Sequence, residues 1–330
     1  MSKKVALVLG SGGARGYAHI GVIDEILARG YTIDCIAGCS MGAVVGGIYA
    51  AGKLREYRAW IEGLDYLDLL RLVDPSFSLG AIRGEKVFGR VREMLGEVNI
   101  EDLPIPFTAV ATDLTNQQEI WFQEGSLELA MRASAAIPSL FTPVVQDNRV
   151  LVDGGLLNPL PIVPVVSSHC DLIIAVNLNA NNHKQYSLPE IERPGRFDSM
   201  LTSISSHIPF WRKDGGGLSP QHIADIRAGE LLRGDQPPAA PSSETAPKSA
   251  AGSTVVDVGG PASLLELINQ SFDVMQSSLA QYKIAGYPPN VLVNIPKRAC
   301  RFYEFDKAPE LIELGRIVAH DALARYELEL

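Results

Sequence analysis

The chain opens on an unbroken apolar run, Val5–Leu9, closed by Gly10. A short run without alternation is the pattern of a parallel strand buried on both faces. From Tyr17 to Ala28 the period changes: Ile20, Ile23 and the pair Ile26–Leu27 recur every three to four residues, and Gly30 supplies a stop. That is helical spacing with a helix end. A second buried strand is expected over Ile33–Ala37, then a helix rich in Ala, Val and Gly over Met41–Ala51. Strand, loop, helix, strand, turn, helix within about fifty residues implies a parallel sheet with covering helices, an α/β fold.

Further along, strands are expected over 107–112 and 119–122, paired as a hairpin around Asn116, and a helix over 127–134. A short strand over 149–152 ends at Asp153-Gly154-Gly155; strands follow at 172–178 and 291–295, and a final helix at 308–326. One segment breaks the pattern. From Asp214 to about Gly260 the residues are mainly Gly, Pro, Ser and Ala. Such a stretch cannot bury enough apolar surface to fold alone, so a disordered insertion is expected there. The chain is thus divided into a core over 1–213, the insertion over 214–260, and a C-terminal helix–strand–helix segment over 261–330 that packs on the core.

Composition narrows the function. The 330 residues are 46% hydrophobic and 20% charged, ordinary for a globular protein, with a net charge of −9. No basic footprint for nucleic acid is visible, and the acidity opposes bulk attraction to anionic lipid. The four cysteines, Cys35, Cys39, Cys170 and Cys300, form no C-x-x-C pair. No zinc spacing and no calcium loop is present, so neither metal nor cofactor is expected. No leader-like segment and no apolar stretch of about 18 residues is seen. A cytoplasmic protein is expected, with peripheral contact at the inner membrane face as an option. Nothing in the pattern speaks to oligomeric state.

The chemistry concentrates in three motifs. Gly38-Cys39-Ser40-Met41-Gly42 fits G-x-S-x-G between a buried strand and a small-residue helix. That context is the strand-to-helix elbow, a strained turn that lifts its central side chain out of the sheet. Ser40 is the candidate nucleophile; a turn serine capping a helix is the plainer reading. Cys39 would point into packing. A serine hydroxyl needs a base. Of the six histidines only His183 follows a plausible strand, and its loop, "NANNHK", reads as solvated. Asp153, delivered by a strand into two glycines, is the better candidate, because a carboxylate shielded from water has a raised pKa and can act as a base. An Asp-Gly turn is its plainer reading. The third motif is the glycine loop after the first strand, G-x-G-G-x-x-G over 10–16. Glycines allow close backbone approach, and Gly12 and Gly13 are candidate N–H donors to an oxyanion formed at Ser40. Arg15 is placed to shape that loop or add positive potential. A phosphate cradle is weaker: the spacing is not G-x-G-x-x-G, and the elbow stands where the ribose-binding acid would be.

Taken in order, "GSGGARG" overlapping "GYAHIGV", then "GCSMG", "RASAAIPSLFTPV" and "DGG" resemble the patatin-like phospholipases, in the bacterial branch similar to neuropathy target esterase domains. The resemblance covers residues 5–180 strongly and the remainder loosely. It implies a three-layer α/β/α sandwich with a mainly parallel sheet, and a Ser–Asp dyad without histidine, carried here by Ser40 and Asp153. It places the oxyanion loop on Gly12, Gly13, Ala14 and Arg15, and it implies hydrolysis of lipid acyl esters, those of phospholipids or lysophospholipids. Acyl transfer or thioester cleavage by the same dyad, and a non-catalytic regulatory protein, are the competing readings. The Leu-rich stretch 64–82 reads as a lid or acyl-binding wall, or equally as core helix and loop. The aromatic–basic "HIPFWRK" at 207–213 reads as a surface loop or as a segment dipping into a membrane interface. The 214–260 insertion departs from the family pattern and bears on the C-terminal architecture more than on the core.

Overall fold

The first strand decides the layering. In a computed structural model, which describes residues 2–191 and 264–329 apart from 65, 73, 75–81, 139 and 182–185, β1 (Lys4–Leu9) is buried from Val5 onward. Successive side chains of a strand point to opposite faces. Val5, Leu7 and Leu9 accordingly enter one core, with α1 (Ala18–Ala28), α2 (Met41–Ala50) and α8 (Ala308–Leu328), while Ala6 and Val8 enter another, with Leu160, Ile162, Val165 and Ala280 of α7 (Leu264–Gly286). Helices thus cover both faces of the sheet. The fold is the three-layer α/β/α sandwich expected.

The remaining strands are β2 (Thr32–Cys39), β3 (Phe107–Asp113), β4 (Gln118–Phe122), β5 (Val144–Gln146), β6 (Arg149–Asp153), β7 (Leu172–Ala180) and β8 (Val291–Pro296). Among the described residues they form one eight-stranded sheet in the order β5-β6-β3-β2-β1-β7-β8, with β4 beside β3. Neighbours from β3 to β8 run parallel; β4, β5 and β6 are antiparallel to their partners. The expected hairpin is present as β3–β4. The two stretches flanking 192–260 belong to one unit. The insertion expected at 214–260 and the cluster at 207–213 lie outside the described residues.

The other helices are α3 (Leu54–Glu62), α4 (Tyr66–Leu72), α5 (Glu85–Leu95) and α6 (Leu127–Ser134). The last matches its expected bounds because Ser126 caps it, accepting the Leu129 amide. The other bounds lie within two residues of those expected. The helix expected from Tyr17 starts at Ala18, because Gly13–Tyr17 winds as a tighter 3₁₀ turn. Among the described residues, no helix is long and apolar enough to cross a membrane.

Candidate active site

Ser40 follows β2 and precedes α2 with φ 56° and ψ −127°, a conformation rarely adopted by a side chain other than glycine. What holds it there is packing. A Cβ on Gly42 would stand 2.1 Å from the Leu9 carbonyl oxygen, and one on Gly38 would stand 2.5 Å from the Gly42 oxygen. The elbow's two glycines therefore let α2 start directly against the end of β1. The Ser40 amide donates to Ser134 Oγ at 2.9 Å, and Ser134 Oγ donates to the Val110 carbonyl at 2.6 Å. Ser134, on α6, thus ties the strained residue to β3.

Asp153 ends β6 and is fully buried. Its Oδ1 accepts the Gly155 amide at 2.7 Å. Burial pushes the carboxyl up to about 7, and the Ser40 hydroxyl, first, and the Gly155 amide pull it back. The two side chains therefore interact, yet Ser40 Oγ and Asp153 Oδ2 are both buried without a closed hydrogen bond. Cys39 Sγ lies 4.0 Å from Asp153 Oδ1, and burial, then the nearby carboxylate, keeps that thiol protonated.

The glycine loop lies beside the elbow because β1 and β2 are neighbours that end together, Leu9 opposite Gly38. Gly13 sits at φ +56°, and a Cβ on Gly16 would stand 2.3 Å from Met41 Cβ, so the turn packs directly on the residue after Ser40. Among the described residues, neither the Gly12 nor the Gly13 amide donates to a protein acceptor. The Ala14 amide is different: it donates to the Phe302 carbonyl at 2.8 Å, so it is committed to holding the turn. Arg15, 2% exposed, also holds it, its Nε donating to the Gly12 carbonyl at 3.1 Å. Of the four loop positions expected at the oxyanion, Gly12 and Gly13 keep free donors; Ala14 and Arg15 support them.

Ser40 borders a cavity of about 500 Å³ walled by Met41, Val44, Phe88, Val91, Ile137, Phe141 and other mostly apolar side chains, within the usual size of ligand pockets, about 300–1,000 Å³. Leu64, Leu69, Leu72 and Ile82 of the Leu-rich stretch are among its walls. Ser40 itself has no exposed surface.

Among the described residues, no histidine hydrogen-bonds to Ser40 or Asp153. His19 is buried with Nε2 at 2.8 Å from the Gly10 carbonyl, and burial lowers it to about 4. It is a neutral donor securing the end of β1. His320 pairs with Glu25 at 2.8 Å, and His169 is exposed. His183, His207 and His222 lie outside the described residues. The sequence motifs do not single out two groups that hold this site, Ser134 and the Phe302 carbonyl. Only Ser134 had a local signal, since it falls within "RASAAIPSLFTPV".

Comparison with known proteins gives the class. The sequence profile of the patatin-like phospholipases matches residues 7–166. An NTE family protein of Mycobacterium tuberculosis, strain H37Rv, described as uncharacterized, is 41% identical over 341 residues, covering 99% of this chain and 93% of that protein. The chain belongs to this NTE family of patatin-like phospholipases. A neuropathy target esterase of Drosophila persimilis is 35% identical over 166 residues, 48% of this chain and 11% of that protein. Among solved structures, VipD from Legionella pneumophila shares the fold, with TM-score 0.50 at 14% identity over 98% of this chain and 67% of VipD.

Proposed function

We propose that the protein is a serine esterase that hydrolyses acyl esters of phospholipids or lysophospholipids, with Ser40 as nucleophile and Asp153 as its base. The observation that carries this is the pairing of a strained, buried serine with a carboxyl held near 7, beside two free backbone donors and an apolar cavity. Membership in the patatin-like and NTE families supports lipid esters as the substrate class.

The geometry suits a two-step reaction. Asp153 takes the Ser40 proton as Oγ attacks the ester carbonyl. The oxyanion rests on the Gly12 and Gly13 amides, and the start of α2 adds favourable potential. The alcohol leaves with a proton returned by Asp153, and an acyl-serine remains. Water then attacks, again giving its proton to Asp153, which passes it to Ser40 Oγ as the fatty acid departs. The apolar walls hold the acyl chain.

A lipid panel tests the reading. Intact phospholipids and lysophospholipids are offered to the wild type, Ser40→Ala and Asp153→Asn, and released fatty acid is measured. Release by the wild type, lost in both variants, is expected; equal release by Ser40→Ala would overturn the assignment.

A further inference from the structure

Two side chains of α7, Asp273 and Gln276, lie one helical turn apart and reach the two turns that frame the reaction centre. Residues three apart share a helix face. Asp273 Oδ1 accepts from Arg15 Nη2 at 3.3 Å, and its Oδ2 stands 3.8 Å from Lys297 Nζ. Arg15 Nη1 donates to the Lys297 carbonyl, and Nε to the Gly12 carbonyl, each at 3.1 Å. In a planar trans peptide the C=O and the following N–H point in opposite directions. Anchoring the Gly12 carbonyl on Arg15 therefore sets where the Gly13 N–H is aimed. Asp273 is the only carboxylate that pairs with this buried guanidinium among the described residues.

Gln276 works on the other side. Its Nε2 donates to Ser11 Oγ at 3.1 Å, and its Oε1 accepts from Asn179 Nδ2 at 3.4 Å. Asn179 Nδ2 also donates to the Ser11 carbonyl at 2.9 Å, so the residue entering the glycine turn is held at both ends. The same Gln276 Nε2 lies 2.2 Å from where a Cβ of Gly155 would stand, and Asp153 Oδ1 lies 2.9 Å from that point. Gln276 thus packs on the turn whose amide holds the Asp153 carboxyl. Ser11, Arg15, Asn179 and Gln276 are all buried, where a lost partner is not replaced by water.

We infer that Asp273 and Gln276 are positioning residues for the reaction centre, acting through Arg15 on the Gly12–Gly13 peptide and through Ser11 and Gly155 on the glycine turn and Asp153. The inference rests on the Ser40–Asp153 reading of the preceding section. It makes α7 part of the machinery, although every catalytic and oxyanion-loop residue expected from the sequence precedes Gly154. A donor displaced by about 1 Å from its productive place costs rate rather than binding.

The test uses the full chain and a p-nitrophenyl acyl ester, with Ser40→Ala as control. Asp273→Ala is expected to lower kcat at least about tenfold with KM within about twofold, and Asp273→Asn, which keeps the Oδ1 acceptor, to recover most of that loss. Gln276→Glu sets a second carboxyl beside Asp153, and like charge raises a carboxyl pKa; the midpoint of the pH–rate profile is expected to move upward by about half a unit or more. A purely structural role for α7 would lower the yield of folded protein without moving the kcat–KM split of what folds. Should Asp273→Ala not fold, Asp273→Asn and Gln276→Glu carry the test. Wild-type kcat in the Asp273 variants together with an unmoved midpoint in Gln276→Glu, while Ser40→Ala is dead, overturns the inference and leaves the dyad standing. Turnover by Ser40→Ala removes the dyad, and the inference with it.

Discussion

Cys39 and Asp153 stand opposite consecutive residues of one strand: Cys39 pairs with Val110 and Asp153 with Ala111. Since β4 occupies the other edge of β3, from Ala109 to Asp113, β2 and β6 share a single edge and approach end to end. β2 runs parallel to β3 and β6 antiparallel, so their C-terminal ends meet. The elbow and the Asp-Gly-Gly turn leave the sheet at the same place, and Ser40 meets Asp153 through strand register rather than through a flexible loop.

In the proposed mechanism Asp153 must be ionised to accept the Ser40 proton. With the Asp153 carboxyl held at about 7 by burial, kcat/KM is expected to rise with pH along one ascending limb centred near 7 and to level above it. Initial rates on a p-nitrophenyl ester from pH 5 to 9 check this. A profile that is flat between pH 6 and 8 contradicts it.

The same shift has a consequence for stability. The folded pKa of Asp153 lies above its ordinary value of 3.8, so proton binding favours the folded state. That contribution is complete below 3.8 and is lost as pH rises through 7, where the fold carries a buried charge at a cost of up to about 4 kcal/mol. Asp153→Asn removes the charge and keeps the shape. The variant should be inactive yet more stable than the wild type at pH 8, with an advantage that shrinks toward pH 4. Urea midpoints at the two pH values decide the matter; equal or lower stability at pH 8 speaks against the buried charge.

The elbow's glycines separate from glycines that only lie in helices. A Cβ on Gly42 would meet the Leu9 carbonyl oxygen at 2.1 Å, whereas one on Gly89, inside α5, would meet nothing within 4 Å. Gly42→Ala should destabilise by at least about 2 kcal/mol and abolish activity. Gly89→Ala should stabilise by about 0.5–1 kcal/mol without touching turnover. Denaturant unfolding of the pair reads both signs.

Chain-length preference tests the cavity. Val44 of α2 borders it together with Leu69, Phe88 and Val91. Val44→Phe should lower kcat/KM for long-chain p-nitrophenyl esters at least about tenfold while sparing the acetate. A uniform loss across chain lengths would place the acyl chain elsewhere.

The parts legible in the sequence are those written locally. β1 is an apolar run because it is buried on both faces, and the elbow and glycine turn are short motifs whose spacing is set by close backbone approach. The helix α5 also left a signal, Phe88, Val91 and Leu95 recurring at helical spacing, though it was not singled out. What stayed hidden is long-range. The antiparallel β6 that brings Asp153 to Ser40 depends on which edge of β3 it takes, and no local pattern encodes that. Asp273 and Gln276 look like ordinary polar positions on a helix; their meaning arises only where α7 meets Arg15 and Ser11. The commitment of the Ala14 amide to Phe302 is hidden for the same reason.

The most direct measurement is peptide mapping after treatment with a fluorophosphonate, which reacts only with a serine that is activated as a nucleophile. A single phosphonyl adduct on Ser40, forming far more slowly in Asp153→Asn, is the expected result. An unlabelled protein that still cleaves acyl esters, or an adduct on another residue with Ser40 unmodified, would contradict it.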